Sequence, residues 1–380
     1  MPERHLFSRA GFTRMLAGFF VIWMVQIVLG WSIGPHRLLA TTVSPRTETV
    51  ASRNGAYVAI ATPRSQGPID IAVVRVADAQ TATFTTEPLI LRGGMSISDD
   101  GRWFVSTPPG RYAVVLFDTH TGRTPYEWPY TYGRSVTPDI FLFITPDNTQ
   151  VVLVQGFQIY VWRIADGALV WHREGESPIG DNTCDLSSDG TLLVCVSSAG
   201  VTLEVWRVAD GTHLASLPLA DQAATVSFAS AAPTLAVGFQ TNAGGRIEIW
   251  RQDGETLTRQ SATDVAGWVT TSALSPDGTR LVTGSSTGGG GGLFSFDVPL
   301  LRQPDRRTVW SVTSQGVAMQ HTLTLHAGEQ RLFFTPTGAL MTTRDLAQFT
   351  LPPFPTELPW FWLSVLSAII VPLIWLRWKR

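Results

Sequence analysis

The sequence predicts an all-β chain of repeated four-stranded units carried between two apolar helices. Three observations predict it: a turn-and-strand pattern recurring about every 44 residues, an uncharged apolar run near each end, and a composition poor in charge. Charged residues make up 15 % of the 380, against a norm of about 25 %, while apolar residues reach 44 % and mean hydropathy is +0.12. That balance excludes a disordered tail and fits contact with lipid. A net charge of −2 offers no basic field for phosphate backbones, so nucleic acid is not an expected partner. Two cysteines are too few for a disulfide scaffold or a four-thiolate zinc site.

Residues 1–14 form a tail carrying Arg4, Arg9 and Arg14. Residues 15–35 follow without a charge, and as a helix they span about 31 Å, enough to cross a bilayer. A cleaved signal peptide is the rival reading. Its apolar core usually holds about 7 to 15 residues, fewer than here, and Leu38 sits badly at the small-residue position before Ala40, so a retained anchor is expected.

Residues 36–352 carry the repeat. The cleanest copy is ALSPDGTRLVTGS from Ala273; others begin at Arg53, Ile97, Phe143, Cys184, Phe228 and His326. The third strand of each is read as ending at Val74, Phe117, Trp162, Trp206, Trp250, Phe296 and Thr343, at intervals of 43 to 47 residues. A period of this length with four short strands is what one propeller blade requires, since each blade buries its faces only against its neighbours. The expected fold class is therefore a seven-bladed β-propeller.

Residues 358–376 form the second predicted span, closed by the basic tail 377–380. Trp360, Trp362, Trp375 and Trp378 lie near its ends, where indoles favour the interface. Two spans put both termini on one side. Lys and Arg in the tails (Arg4, Arg9, Arg14, Arg377, Lys379, Arg380) outnumber those on the inner flanks (Arg37, Arg46, Arg53, Arg344), which predicts cytoplasmic termini and an extracytoplasmic propeller in the cell membrane. Neither span holds an ionisable side chain, so both read as anchors rather than relays. Gln26 and the small-xxx-small pair Ser364 and Ala368 are their candidate helix-packing positions.

The middle resembles the WD-repeat family through SPDG at Ser275 to Gly278 and the VWRIADG and VWRVADG runs ending at Gly167 and Gly211. Arg163, Arg207 and Arg251 stand after Trp where that family often has Asp, and no repeat opens with a Gly-His pair. Asp118 to Trp128 (DTHTGRTPYEW) and Asp166 to Trp171 (DGALVW) also resemble quinoprotein-type propellers, which would imply a quinone cofactor. That pattern occurs in two repeats, and Asp-Gly suits any tight turn, so it reads as blade-building sequence.

The search for chemistry ends without a catalytic constellation. The seven histidines are scattered, no nucleophile has an identifiable base, and the Gly288 to Gly292 run lacks the Lys and hydroxyl of a phosphate loop. No metal site and no cofactor are expected. Cys184 and Cys195 flank one turn on neighbouring strands, where a disulfide can form in an oxidising compartment but two buried free thiols are the commoner outcome for apolar strand positions. Tyr126, Trp128, Tyr130 and Tyr132 alternate along an edge strand, either packing against the next blade or offering a contact surface to a partner. The expected function is a non-catalytic scaffold or accessory subunit among other membrane-protein subunits. The alternative is a propeller binding a small ligand or cofactor at its central channel.

Overall fold

The computed structural model describes residues 35–38, 48–63, 68–86, 90–108, 112–131, 140–156, 158–174, 183–197, 199–265, 268–286, 305–313, 316–325, 332–337, 340–342 and 347–349. Apart from Pro35, which opens a strand, both predicted spans, with Gln26, Ser364 and Ala368, lie outside these residues. No helix among the described residues is long and apolar enough to cross a membrane.

The described strands form seven sheets of four. Strand β1 (Pro35–Leu38) belongs to the last of them. Sheet 1 contains β2 (Glu48–Ala51), β3 (Tyr57–Pro63), β4 (Ile69–Arg75) and β5 (Thr81–Thr86). Sheet 2 contains β6 (Ile90–Ile97), β7 (Trp103–Thr107), β8 (Ala113–Asp118) and β9 (Arg123–Pro129). Sheet 3 contains β10 (Ile140–Ile144), β11 (Gln150–Gln155), β12 (Gln158–Arg163) and β13 (Leu169–Glu174). Sheet 4 contains β14 (Cys184–Leu186), β15 (Leu192–Val196), β16 (Thr202–Arg207) and β17 (His213–Pro218). Sheet 5 contains β18 (Gln222–Phe228), β19 (Thr234–Thr241), β20 (Gly244–Asp253) and β21 (Thr256–Val265). Sheet 6 contains β22 (Trp268–Leu274), β23 (Arg280–Ser286), β24 (Asp305–Thr313) and β25 (Gly316–Leu325). Sheet 7 runs β26 (Leu332–Phe334), β27 (Leu340–Thr342), β28 (Ala347–Phe349) and then β1.

Sheets 1 to 6 are antiparallel meanders in sequence order, joined by short connections throughout sheets 1 to 5. Their second strands read as continuous apolar runs because both faces are covered. In β11, Val151 and Leu153 join a core shared with sheet 2, while Val152 and Val154 join one shared with sheet 4. The period-two alternation thus divides each strand between two neighbours. Further cores join sheets 1 and 2, 4 and 5, and 5 and 6. One more joins sheet 7 to sheet 1: Phe333 and Met341 pack with Val58, Ile60, Val74 and Val76.

Two repeats depart from the sequence reading. In sheet 6 the third strand is β24, with Trp310 opposite Leu281, the register position that Trp206 holds opposite Leu193. Phe296 is not in that strand and lies outside the described residues. In the last repeat, the segment read as a second strand is the first, β26, and the turn at Thr335 to Thr337 follows it. Thr343 therefore follows a second strand rather than ending a third. The period fails here because residues 287–304 stretch sheet 6, and because a strand from the other end of the chain completes sheet 7.

Candidate functional site

Among the described residues, several clusters of functional-type side chains are held by this frame. The first is the turn between the first and second strands of a sheet. Ser98 Oγ donates to Asp100, Thr145 Oγ1 to Asp147, Ser187 Oγ to Asp189 and Ser275 Oγ to Asp277, at 2.5–2.6 Å. Each hydroxyl also accepts the amide five residues on, and each Asp accepts the amide two residues on. These carboxylates close hairpins. Burial pushes Asp147, Asp189 and Asp277 upward, but the hydroxyl and amide hydrogen bonds outweigh it and hold all three below the usual aspartate range. They are charged acceptors, with no proton to give near neutrality.

A second cluster joins the turns of different sheets. Asn54 N–H donates to Asp99 Oδ1 at 2.8 Å, and Asp99 N–H donates to Asn148 Oδ1 at 3.3 Å, linking sheets 1, 2 and 3. Arg53, beside Asn54, reaches sheet 4, where its Nη1 lies 3.4 Å from Asp185 Oδ1. Asp185 also accepts the amides of Phe228 at 2.7 Å and Leu186 at 2.8 Å. Desolvation raises the carboxyl of Asp185, and desolvation likewise raises Asp99. Arg53 Nε and Nη2 are buried without a partner. No sequence signal marks this set, because its members come from separate repeats.

The third cluster is the face between sheets 2 and 3. Tyr126 stacks on Trp128, Trp128 on Trp162, Trp162 on Tyr160 and Tyr160 on His172, with centroids 4.1–5.6 Å apart. Trp128 Nε1–H donates to Gly167 O at 2.8 Å and Tyr126 O–H to Ala165 O at 3.3 Å. Trp128 and Tyr130 are buried and Tyr126 is half-buried; Tyr132 lies outside the described residues. The three described rings thus pack on the next sheet, Tyr126 and Trp128 from the edge strand β9 and Tyr130 from just past its end. The next seam repeats the device, with Trp171 Nε1–H donating to Val208 O at 2.6 Å. Burial lowers His172, which keeps the ladder's end uncharged near neutral pH.

Chemistry from these arrangements is limited. On sheet 4, Glu204 Oε2 meets His213 Nε2 at 2.8 Å and Ser216 Oγ at 2.6 Å, with Thr202 Oγ1 on Oε1 at 2.8 Å. Ser216 approaches the same Nε2 at 3.5 Å, so the imidazole has no separate orienting carboxylate and the set is not a triad. Burial pushes Glu204 up, yet the bonds from Ser216, Thr202 and His213 carry it below its ordinary value. No group of three or more His, Cys, Asp or Glu among the described residues could hold a metal. Cys184 and Cys195 face each other in register across β14 and β15 and are joined as a disulfide.

No known family and no curated protein matches the chain. Solved structures do. The β-propeller domain of Cps50 (Swd1) from Myceliophteria thermophila aligns at 12 % identity and TM-score 0.57, covering 84 % of this chain and 99 % of that one. KlHsv2 with its loop 6CD replaced by a Gly-Ser linker aligns at 12 % identity and TM-score 0.55, covering 78 % and 89 %. A functionally unknown protein from Desulfotomaculum acetoxidans gives 12 %, 0.50, 74 % and 89 %. The fold is therefore that of a β-propeller, similar to a WD-repeat propeller domain. At this identity the likeness extends to fold alone.

Proposed function

We propose that this chain is a non-catalytic, membrane-anchored, seven-bladed propeller serving as a scaffold or accessory subunit of a larger membrane complex, of respiratory, photosynthetic, transport or envelope-assembly type. The observation that carries the reading is the pairing of β1 with β28 in sheet 7, whose outer strands come from opposite ends of the repeat region. In sequence the uncharged runs 15–35 and 358–376 adjoin these two paired strands, and two crossings so connected would hold the propeller to the bilayer. The core shared by sheets 7 and 1 supports closure of seven blades into one ring. A disulfide between Cys184 and Cys195 suits an oxidising compartment, in keeping with the arginine-rich tails staying in the cytoplasm. Arg53 bridging sheet 1 to sheet 4 speaks against the ligand-binding alternative, since in a seven-membered ring these sheets face each other across the central channel.

Reporter fusions at each terminus test the topology. Both are expected to report from the cytoplasm, and termini on opposite sides would refute the two-span arrangement. Mild detergent extraction, native gels and mass spectrometry test the role. Co-migration with a stoichiometric set of membrane subunits is expected, whereas a lone species carrying a bound chromophore would support the channel-ligand reading instead.

A further inference from the structure

We propose that the seam between sheets 2 and 3 encloses a binding site for one structural water, held by Thr107 and Gln155. Strand alternation puts both on this seam. Thr107 lies on the side of β7 that Val105 turns toward sheet 3, and Gln155 lies on the side of β11 that Val151 and Leu153 turn toward sheet 2. Gly94 lies beside Thr107. A Cβ there would lie 2.5 Å from Thr107 Oγ1 and 3.5 Å from Ile140 Cγ2, and Ile140 is the register partner of Gln155.

Thr107 Oγ1, Gln155 Oε1 and Gln155 Nε2 are all buried without a hydrogen-bond partner. The two residues are 0 % and 1 % exposed, so bulk water does not reach them. Adjacent polar groups are provided for. Gln158, opposite Gln155, accepts the Tyr160 hydroxyl at 2.7 Å, and that oxygen accepts Thr131 N–H at 3.2 Å. The orphans consist of one acceptor, one donor and one hydroxyl able to do either. A buried water makes about three hydrogen bonds, and this trio supplies them. Val105, Val151 and Leu153, all fully buried, line the same seam and offer no polar group of their own. Ser106 Oγ, also unpartnered, takes no part, because it alternates with Thr107 and turns to the side of Phe104 and sheet 1.

The test uses the full chain purified in detergent, with variants Thr107→Val, Gln155→Leu and the double variant. Each single change strands the water with fewer partners and is expected to lower the thermal unfolding midpoint. The double change removes the reason for the water, so its midpoint is expected to lie above that of either single variant. A double variant no more stable than the worse single would overturn the proposal. A high-resolution structure of the wild type provides the independent check: solvent density within hydrogen-bond reach of both side chains is expected. A direct Gln155 to Thr107 bond with no density between them would refute the site.

Discussion

At Gly211 the backbone has φ +71°, and a Cβ would fall 2.6 Å from Cε3 of Trp171. Gly254 has φ +58° with nothing within 4 Å of its Cβ position. Gly254→Ala should therefore cost only the left-handed penalty of about 1–2 kcal/mol, whereas Gly211→Ala should add about 1–3 kcal/mol of overpacking against the indole. Denaturant titration of both variants checks this, and equal losses would mean the Trp171 contact is dispensable. Asp185 supplies a pH test. Its folded pKa is raised by desolvation above the unfolded value of about 3.9, so the folded state holds the proton more firmly. The wild type should lose stability as pH rises from about 4 through the folded value. The midpoint of Asp185→Asn relative to wild type should climb over that window; a pH-independent difference would contradict the assigned shift. Asp-Gly turns are visible in the sequence as punctuation, but which ring presses on which glycine is not, since Trp171 and Gly211 lie in different sheets.

In sheets 3 and 4, the arginine that follows the third-strand Trp has a partner in the next turn. Arg163 pairs with Asp166 at 2.8 Å and Arg207 with Asp210 at 3.0 Å, each clasping the turn after the third strand. Arg75 does the same with Asp78 at 2.6 Å. The Asp210 carboxyl, hydrogen-bonded first by the Thr212 amide and then by Thr212 Oγ1 and Arg207, is lowered to about 2. With Asp147, Asp189 and Asp277 also lowered, the folded state releases these protons more readily than the unfolded one. The stability they supply is complete above about pH 4 and lost as pH falls toward their folded values. An acid titration by circular dichroism should show the midpoint dropping in that range, less steeply for Asp277→Asn. The Cys184–Cys195 bridge closes a loop of sequence separation 11, so reduction should cost about 2–4 kcal/mol. An unchanged midpoint under reductant would show that the bridge is not formed in solution. The two cysteines could be placed on adjacent strands from the turn between them; their pairing needed the register.

Across the molecule, the 44-residue period is legible because each sheet solves the same burial problem with the same strand–turn chemistry. It breaks where a single repeat no longer describes the answer. Sheet 6 has its third strand at Asp305–Thr313, beyond a long connection, and sheet 7 takes its fourth strand from Pro35–Leu38. Removing residues 1–38 should leave β28 as an unpaired edge, and such a chain should aggregate or unfold at lower temperature than the intact one. Light scattering and thermal melts would decide; a truncated chain as stable and monodisperse as the parent would mean that β1 is not needed for closure.

Local chemistry was enough to establish that this chain is a repeated β structure with Asp-centred hairpins, because turn preference and two-residue alternation act over a few neighbouring positions. The same locality exposed the uncharged runs at both ends. Partnerships between distant segments were decided in three dimensions alone: Arg53 with Asp185, β1 with β28, and the Trp128 indole with the Gly167 carbonyl. A side chain's composition states that it needs a partner, but the packing of the sheets chooses which one it meets.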